Sequence, residues 1–105
     1  MKKPYKTYQE VLSEALKDPR EAAEYLNTAL EEGDPKMFLV ALKNVAHARG
    51  GMVKLAHRTK LGRANLYRIF SKQGNPEIQT LTRILNTFGL RLAVAVPRKP
   101  MLKAA

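Results

Sequence analysis

Arg63, Ala64, Asn65, Tyr67 and Arg68 lie within one short stretch, and their side chains are of the types that read or grip a nucleic acid. A guanidinium can donate two parallel N–H bonds to O6 and N7 of guanine, and a small methyl side chain can touch the methyl of thymine. Arg63 and Arg68 are therefore the base-reading candidates, and Ala64 the candidate thymine contact. Asn65 suits a helix cap or a phosphate, and Tyr67 a phosphate oxygen. Lys72, Gln73 and Asn75 follow as further DNA-contact candidates in a loop. The N–H groups around Pro76 and Glu77 then open a helix, and a helix start can hold a phosphate. Glu77 also fits there simply as an acid facing the positive end of the helix dipole.

Two short helices and a tight turn must position these groups. Residues 52–74 read MVKLAHRTKLGRANLYRIFSKQG. Leu55 and Ala56 belong to the first helix, where the small Ala56 lets two helices cross closely. Thr59-Lys60-Leu61-Gly62 is the turn, and Leu61 supplies an apolar plug for it. In the second helix Leu66, Ile69 and Phe70 point inward, which turns Arg63, Ala64, Asn65, Tyr67, Arg68 and Lys72 outward. This is the helix-turn-helix plan, in which the second helix enters the major groove of DNA.

The charge distribution agrees. The chain carries a net charge of +10. Residues 1–36 hold six Lys/Arg and eight Asp/Glu, a net −2, whereas residues 37–105 hold thirteen Lys/Arg and the single acid Glu77, a net +12. Solubility alone does not require acids to be excluded from so long a stretch. The asymmetry implies a half that binds a polyanion and a half with a different partner.

At 105 residues and 45% hydrophobic content the chain suits one globular domain with modest extensions. Cysteine is absent, so neither a disulfide framework nor a thiolate metal site is available, in keeping with a reducing cytoplasm. No apolar run approaches the ~20 residues of a membrane span. The N-terminal MKKPYKTYQEV has no apolar stretch behind its lysines, as a secretory signal would, and a cytoplasmic location is expected.

Helix starts are well marked. Thr7 with Glu10 forms a capping box ahead of Tyr8, Val11, Leu12, Ala15 and Leu16. Asp18-Pro19 begins a helix with Ala22, Leu26, Ala29 and Leu30 on one face, ending at Gly33. Asp34-Pro35 begins another, with Phe38, Leu42, Val45, Ala46 and Arg49 aligned before Gly50-Gly51. Beyond Gly74, Asn75-Pro76 opens a helix with the stripe Ile78, Leu81, Ile84, Leu85 and Phe88, stopped by Gly89. The period then changes from helical to alternating. Leu90, Leu92, Val94 and Val96 alternate with Arg91, Ala93 and Ala95, a strand pattern closed by Pro97. A lone strand leaves its N–H and C=O groups unpaired. The expected solution is a homodimer in which two copies pair through Leu90, Leu92 and Val94; the alternative is pairing with the segment around Tyr5.

The expected fold is thus mainly α: a helix-turn-helix (lambda-repressor-like) helical domain with N-terminal helices and one C-terminal β-strand. Residues 1–34 form the N-terminal helical extension, 35–96 the DNA-binding domain with its strand, and 97–105 a disordered basic tail.

Catalytic constellations are not evident. Metal-dependent DNA cleavage clusters carboxylates, and the basic region holds Glu77 alone. His47 and His57 lack ligand-like neighbours, Ser13 and Ser71 lack partners, and no GxxxxGK phosphate loop occurs. Met37, Met52 and Met101 read as packing or tail residues. No cofactor and no metal is expected, and the function implied is binding rather than catalysis.

The stretch GRANLYRIFSKQGNPEIQTLTRILNTFGLRLAV, within Gly51–Val94, resembles the HigA-like addiction-module antidotes, also called prophage DNA-binding proteins. The resemblance rests on Leu61, Arg63, Leu66, Tyr67, Arg68, Gly74-Asn75-Pro76, Leu81, Leu85 and Gly89-Leu90-Arg91-Leu92. Upstream, Glu24-Tyr25-Leu26-Asn27, Ala29-Leu30-Glu31, Gly33-Asp34-Pro35 and Ala46-His47-Ala48-Arg49-Gly50 are similar to the same family. Two residues depart from its pattern: Lys60 where glycine is usual in the turn, and Gly62 where serine is usual before the recognition helix. The resemblance implies an antitoxin of a type II toxin–antitoxin pair. Such a protein binds operator DNA as an autorepressor and neutralises a RelE/HigB-like toxin. The alternative is a stand-alone prophage-type repressor. A basic toxin would be met by the acidic N-terminal helices, with Glu14, Glu21 and Tyr25 as contact candidates.

Overall fold

A computed structural model describes residues 6–71 and 73–97. Six helices follow one another: α1 Tyr8–Ala15, α2 Pro19–Glu31, α3 Pro35–Ala48, α4 Gly51–Thr59, α5 Arg63–Ile69 and α6 Ile78–Thr87. The first three start as their sequences dictate. Thr7 Oγ1 accepts a hydrogen bond from the Glu10 amide at 3.1 Å, and the Asp18 and Asp34 carboxylates accept from the Arg20 and Lys36 amides, each at 2.9 Å. Pro19 and Pro35 occupy first-turn positions, where a missing N–H costs nothing.

Helix α3 is the centre of the molecule. It is apolar on more than one face, and Phe38, Leu39, Ala41, Leu42, Val45 and Ala46 are all buried. Helices α1, α2 and α4 pack against it, α5 and α6 pack against α4, and one continuous apolar core runs from Leu16, Ala22 and Leu26 to Leu66, Ile84 and Phe88. Leu39 and Ala41 fall outside the simple stripe read from the sequence, because a helix enclosed by three others buries more than one face.

Four apolar positions assigned to core faces lie at the surface instead. Tyr8, Val11, Leu30 and Ile78 are all exposed. Each lies in the first or last turns of its helix, beyond the stretch that a neighbour covers. Helix α6 also begins later than Asn75-Pro76 suggests, with Glu77 as its N-cap and no side-chain bond to it.

The expected C-terminal strand is absent among the described residues. Leu90 is half-buried, and its amide bonds back to the Leu85 carbonyl at 2.9 Å. Residues 91–97 are exposed and carry no regular secondary structure, with Val94 and Val96 essentially fully accessible. The alternation of Leu90, Leu92 and Val94 is real, but a strand exists only through a paired neighbour, and no described segment of the same chain supplies one. The alternative partner around Tyr5 and the tail from Arg98 onward lie outside the described residues.

Candidate nucleic-acid interface

The turn between α4 and α5 is held by a buried threonine. Thr59 is 2% exposed; its hydroxyl donates to the Leu55 carbonyl at 2.7 Å and accepts from the Leu61 amide at 3.3 Å. Lys60 follows in the left-handed conformation, at φ 62°, and its amide bonds to the Ala56 carbonyl at 2.9 Å. It is the one described non-glycine residue with positive φ, at the position where the family resemblance has glycine. From α6, the Arg83 guanidinium reaches across and donates to the Thr59 carbonyl at 3.3 Å. The last turn of α4 is thereby tied to the turn and to α6.

Helix α5 is short and is anchored by Leu66, which is fully buried, and by Ile69 and Phe70. These contacts fix which side chains face outward. Arg63, Ala64, Tyr67 and Arg68 are exposed, and Asn65 is partly so. Arg68 donates to the Asn65 side-chain oxygen at 2.7 Å, so the two lie against each other along the surface of the helix. Gly62 precedes the helix and offers no side-chain cap, which leaves the amides of the first turn without a protein acceptor from that residue. Gln73 and Asn75 are exposed in the loop before α6, while Lys72 lies outside the described residues. In the same loop a Cβ on Gly74 would overlap the Ile69 carbonyl, so this glycine is required for the chain to fold back closely behind α5.

Two cations of the basic half are used internally. Arg83 caps α4 as described, and Arg49 donates through Nη2 to the Phe88 carbonyl at 3.0 Å, capping α6. Sequence reading placed Arg49 only on a helix face and did not single out Arg83. No local signal marks them, since the capped carbonyls lie 39 and 24 residues away along the chain.

On the acidic side, Glu14 and Glu21 are exposed, and Glu14 pairs with Lys17 at 3.6 Å. Tyr25 is placed differently from an open contact residue. It is half-buried against the core, and its hydroxyl accepts from the Asn44 amide group at 2.9 Å, joining α2 to α3. The apolar side chains that stand out beside the acids are Tyr8, Val11 and Leu30. His47 and His57 are exposed, and no group of His, Cys, Asp or Glu suited to a metal occurs among the described residues. Among the described residues no helix is long and apolar enough to cross a membrane.

A family model described as "Probable addiction module antidote protein" matches residues 6–96, nearly all of the described chain, and the chain belongs to that family. An uncharacterised protein of Haemophilus influenzae is 31% identical over 87 residues, covering 83% of this chain and 89% of its own length. No solved structure matches.

Proposed function

We propose that this protein is the antitoxin of a type II toxin–antitoxin pair: a cytoplasmic binding protein, not an enzyme, that represses its own operator as a homodimer and neutralises a RelE/HigB-like toxin. The observation that carries the DNA half of this reading is the α4–turn–α5 unit. Its second helix is anchored by Leu66 and turns Arg63, Ala64, Tyr67 and Arg68 to solvent, in a chain half with thirteen cations and one acid. Membership of an antidote family supports the toxin half. The acids of α1 and α2, with Tyr8, Val11 and Leu30 exposed among them, offer a complementary face to a basic partner. Glu14 and Glu21 remain candidates for that contact. Tyr25 stays a candidate too, with its ring partly exposed while its hydroxyl ties α2 to α3.

A symmetric dimer presents two recognition helices about 34 Å apart, so an inverted repeat is the expected operator. Fluorescence anisotropy with the DNA upstream of the gene tests this. Arg63→Ala and Arg68→Ala should each cost about 1–3 kcal/mol on operator and relax preference at one base pair, with little change on random DNA. Equal losses on both DNAs would remove the base-reading roles. Co-expression with the adjacent reading frame, followed by affinity purification of either product, tests the toxin assignment. A neighbouring frame whose product is not toxic and does not co-purify would leave a stand-alone repressor.

A further inference from the structure

A second basic feature lies away from the outward residues of α5. Arg49, Lys54, Leu55, Arg58, Thr87 and Phe88 line a cleft of about 160 Å³ between α4 and the C-terminal end of α6. Three of the six are cations, and no acid lines the cleft. Arg49 is held from one side, because its Nη2 donates to the Phe88 carbonyl at 3.0 Å. Its other terminal nitrogen, Nη1, is buried without a hydrogen-bond partner, and it is the one such side-chain atom among the described residues. A buried guanidinium N–H with no acceptor is costly, and a small turn of the Arg49 side chain toward an anion in the cleft would relieve that cost.

We propose that this cleft is a phosphate-binding site. The Thr87 hydroxyl already donates to the Arg83 carbonyl at 3.0 Å, so the donors left to a ligand are the three cations. They belong to three separate side chains, and Lys54 and Arg58 are exposed at the rim while Arg49 sits deeper. A flat carboxylate matches one guanidinium fork. A tetrahedral phosphate can meet three cations approaching from different directions. The bond from Arg49 to Phe88 also satisfies a carbonyl at the negative end of α6, which would otherwise oppose an anion there. Lys54 and Arg58 lie one turn apart on the same face of α4, so the helix itself sets their spacing. The phosphate belongs either to a nucleic-acid backbone or to a free phosphate compound. The site itself does not depend on the operator-binding reading.

The full chain should be titrated with inorganic phosphate at constant ionic strength, with chloride as the control, and followed by 15N NMR of the Arg49 side chain and the Lys54 and Phe88 amides. Saturable shifts with phosphate and not with chloride are expected. Lys54→Ala and Arg58→Ala, both at exposed positions, should each weaken binding about tenfold. Shifts that fail to saturate, that chloride reproduces, or that survive unchanged in both variants would overturn the site. A second arm identifies the source. A Lys54→Ala/Arg58→Ala double variant that lowers the salt slope of DNA binding by about one places the phosphate on the nucleic-acid backbone. An unchanged slope, with phosphate binding lost in the same variant, assigns the site to a free phosphate compound. A chain that binds no DNA would end the operator reading while leaving the phosphate titration decisive.

Discussion

Lys60 pays a conformational cost in order to close the turn before α5. At φ 62° its Cβ crowds its own backbone, a strain of about 1 kcal/mol that glycine does not suffer. Lys60→Gly should therefore raise stability by roughly 0.5–1 kcal/mol, read by urea unfolding, with the α4–α5 geometry unchanged. A destabilised variant would mean that the lysine side chain contributes more than its backbone costs. This departure was visible only through the family resemblance, which has glycine where Lys60 stands; turn composition alone offers Gly62 as readily for a left-handed residue. Thr59 was legible only as a turn residue. Its burial, and the double duty of its hydroxyl toward Leu55 and Leu61, depend on how α4, the turn and α6 meet, which local spacing does not encode.

At the level of elements, α5 is too short to be stable by itself, so its orientation depends on what surrounds it. Leu66, Ile69 and Phe70 hold it from below, and the Thr59 network fixes its entry. Thr59→Val keeps the shape of the side chain and removes both hydroxyl bonds, leaving the Leu61 amide without its partner. We expect a loss of about 1–3 kcal/mol in thermal or urea unfolding. Operator binding should weaken further than this loss of folded protein explains, because the angle between α4 and α5 is set at the turn. Binding that tracks the folded fraction alone would show that α5 is positioned by its core contacts only. Helix existence was readable throughout, since Asp18-Pro19 and Asp34-Pro35 mark starts that the side chains then cap. Coverage was not. Tyr8, Val11, Leu30 and Ile78 satisfy helical spacing, yet whether a neighbour reaches them depends on the lengths and crossing of other helices. Tyr25 has a second role that spacing does not show. An amphipathic residue among acids reads as a surface contact until the Asn44 side chain is seen to hold its hydroxyl.

For the molecule as a whole, residues 91–97 form an exposed segment with no backbone partner among the described residues of its own chain. Val94 and Val96 are exposed, and Leu92 is 41% exposed, on a segment whose alternation suits a ladder. Antiparallel pairing about a two-fold axis would join two copies and set the spacing of their recognition helices. Val94→Pro removes a ladder donor and should yield a monomer by light scattering, with operator binding much weakened. A variant that stays dimeric and keeps full operator affinity would exclude this interface. The alternation from Leu90 to Val96 was legible, but pairing is a property of two segments, and one sequence does not say whether a second is supplied. The single core has a different consequence. Helices α1 and α2 both pack on α3, sharing Leu16, Ala22 and Leu26 with the core that also anchors α4 and α5. A partner that grips α1 and α2 only when they are folded would therefore lend its binding free energy to the folding of α4 and α5 as well. By mass action this amounts to about 2.7 kcal/mol at a hundredfold excess over the dissociation constant. Partner abundance would then set how long α4 and α5 stay folded, without the partner touching either.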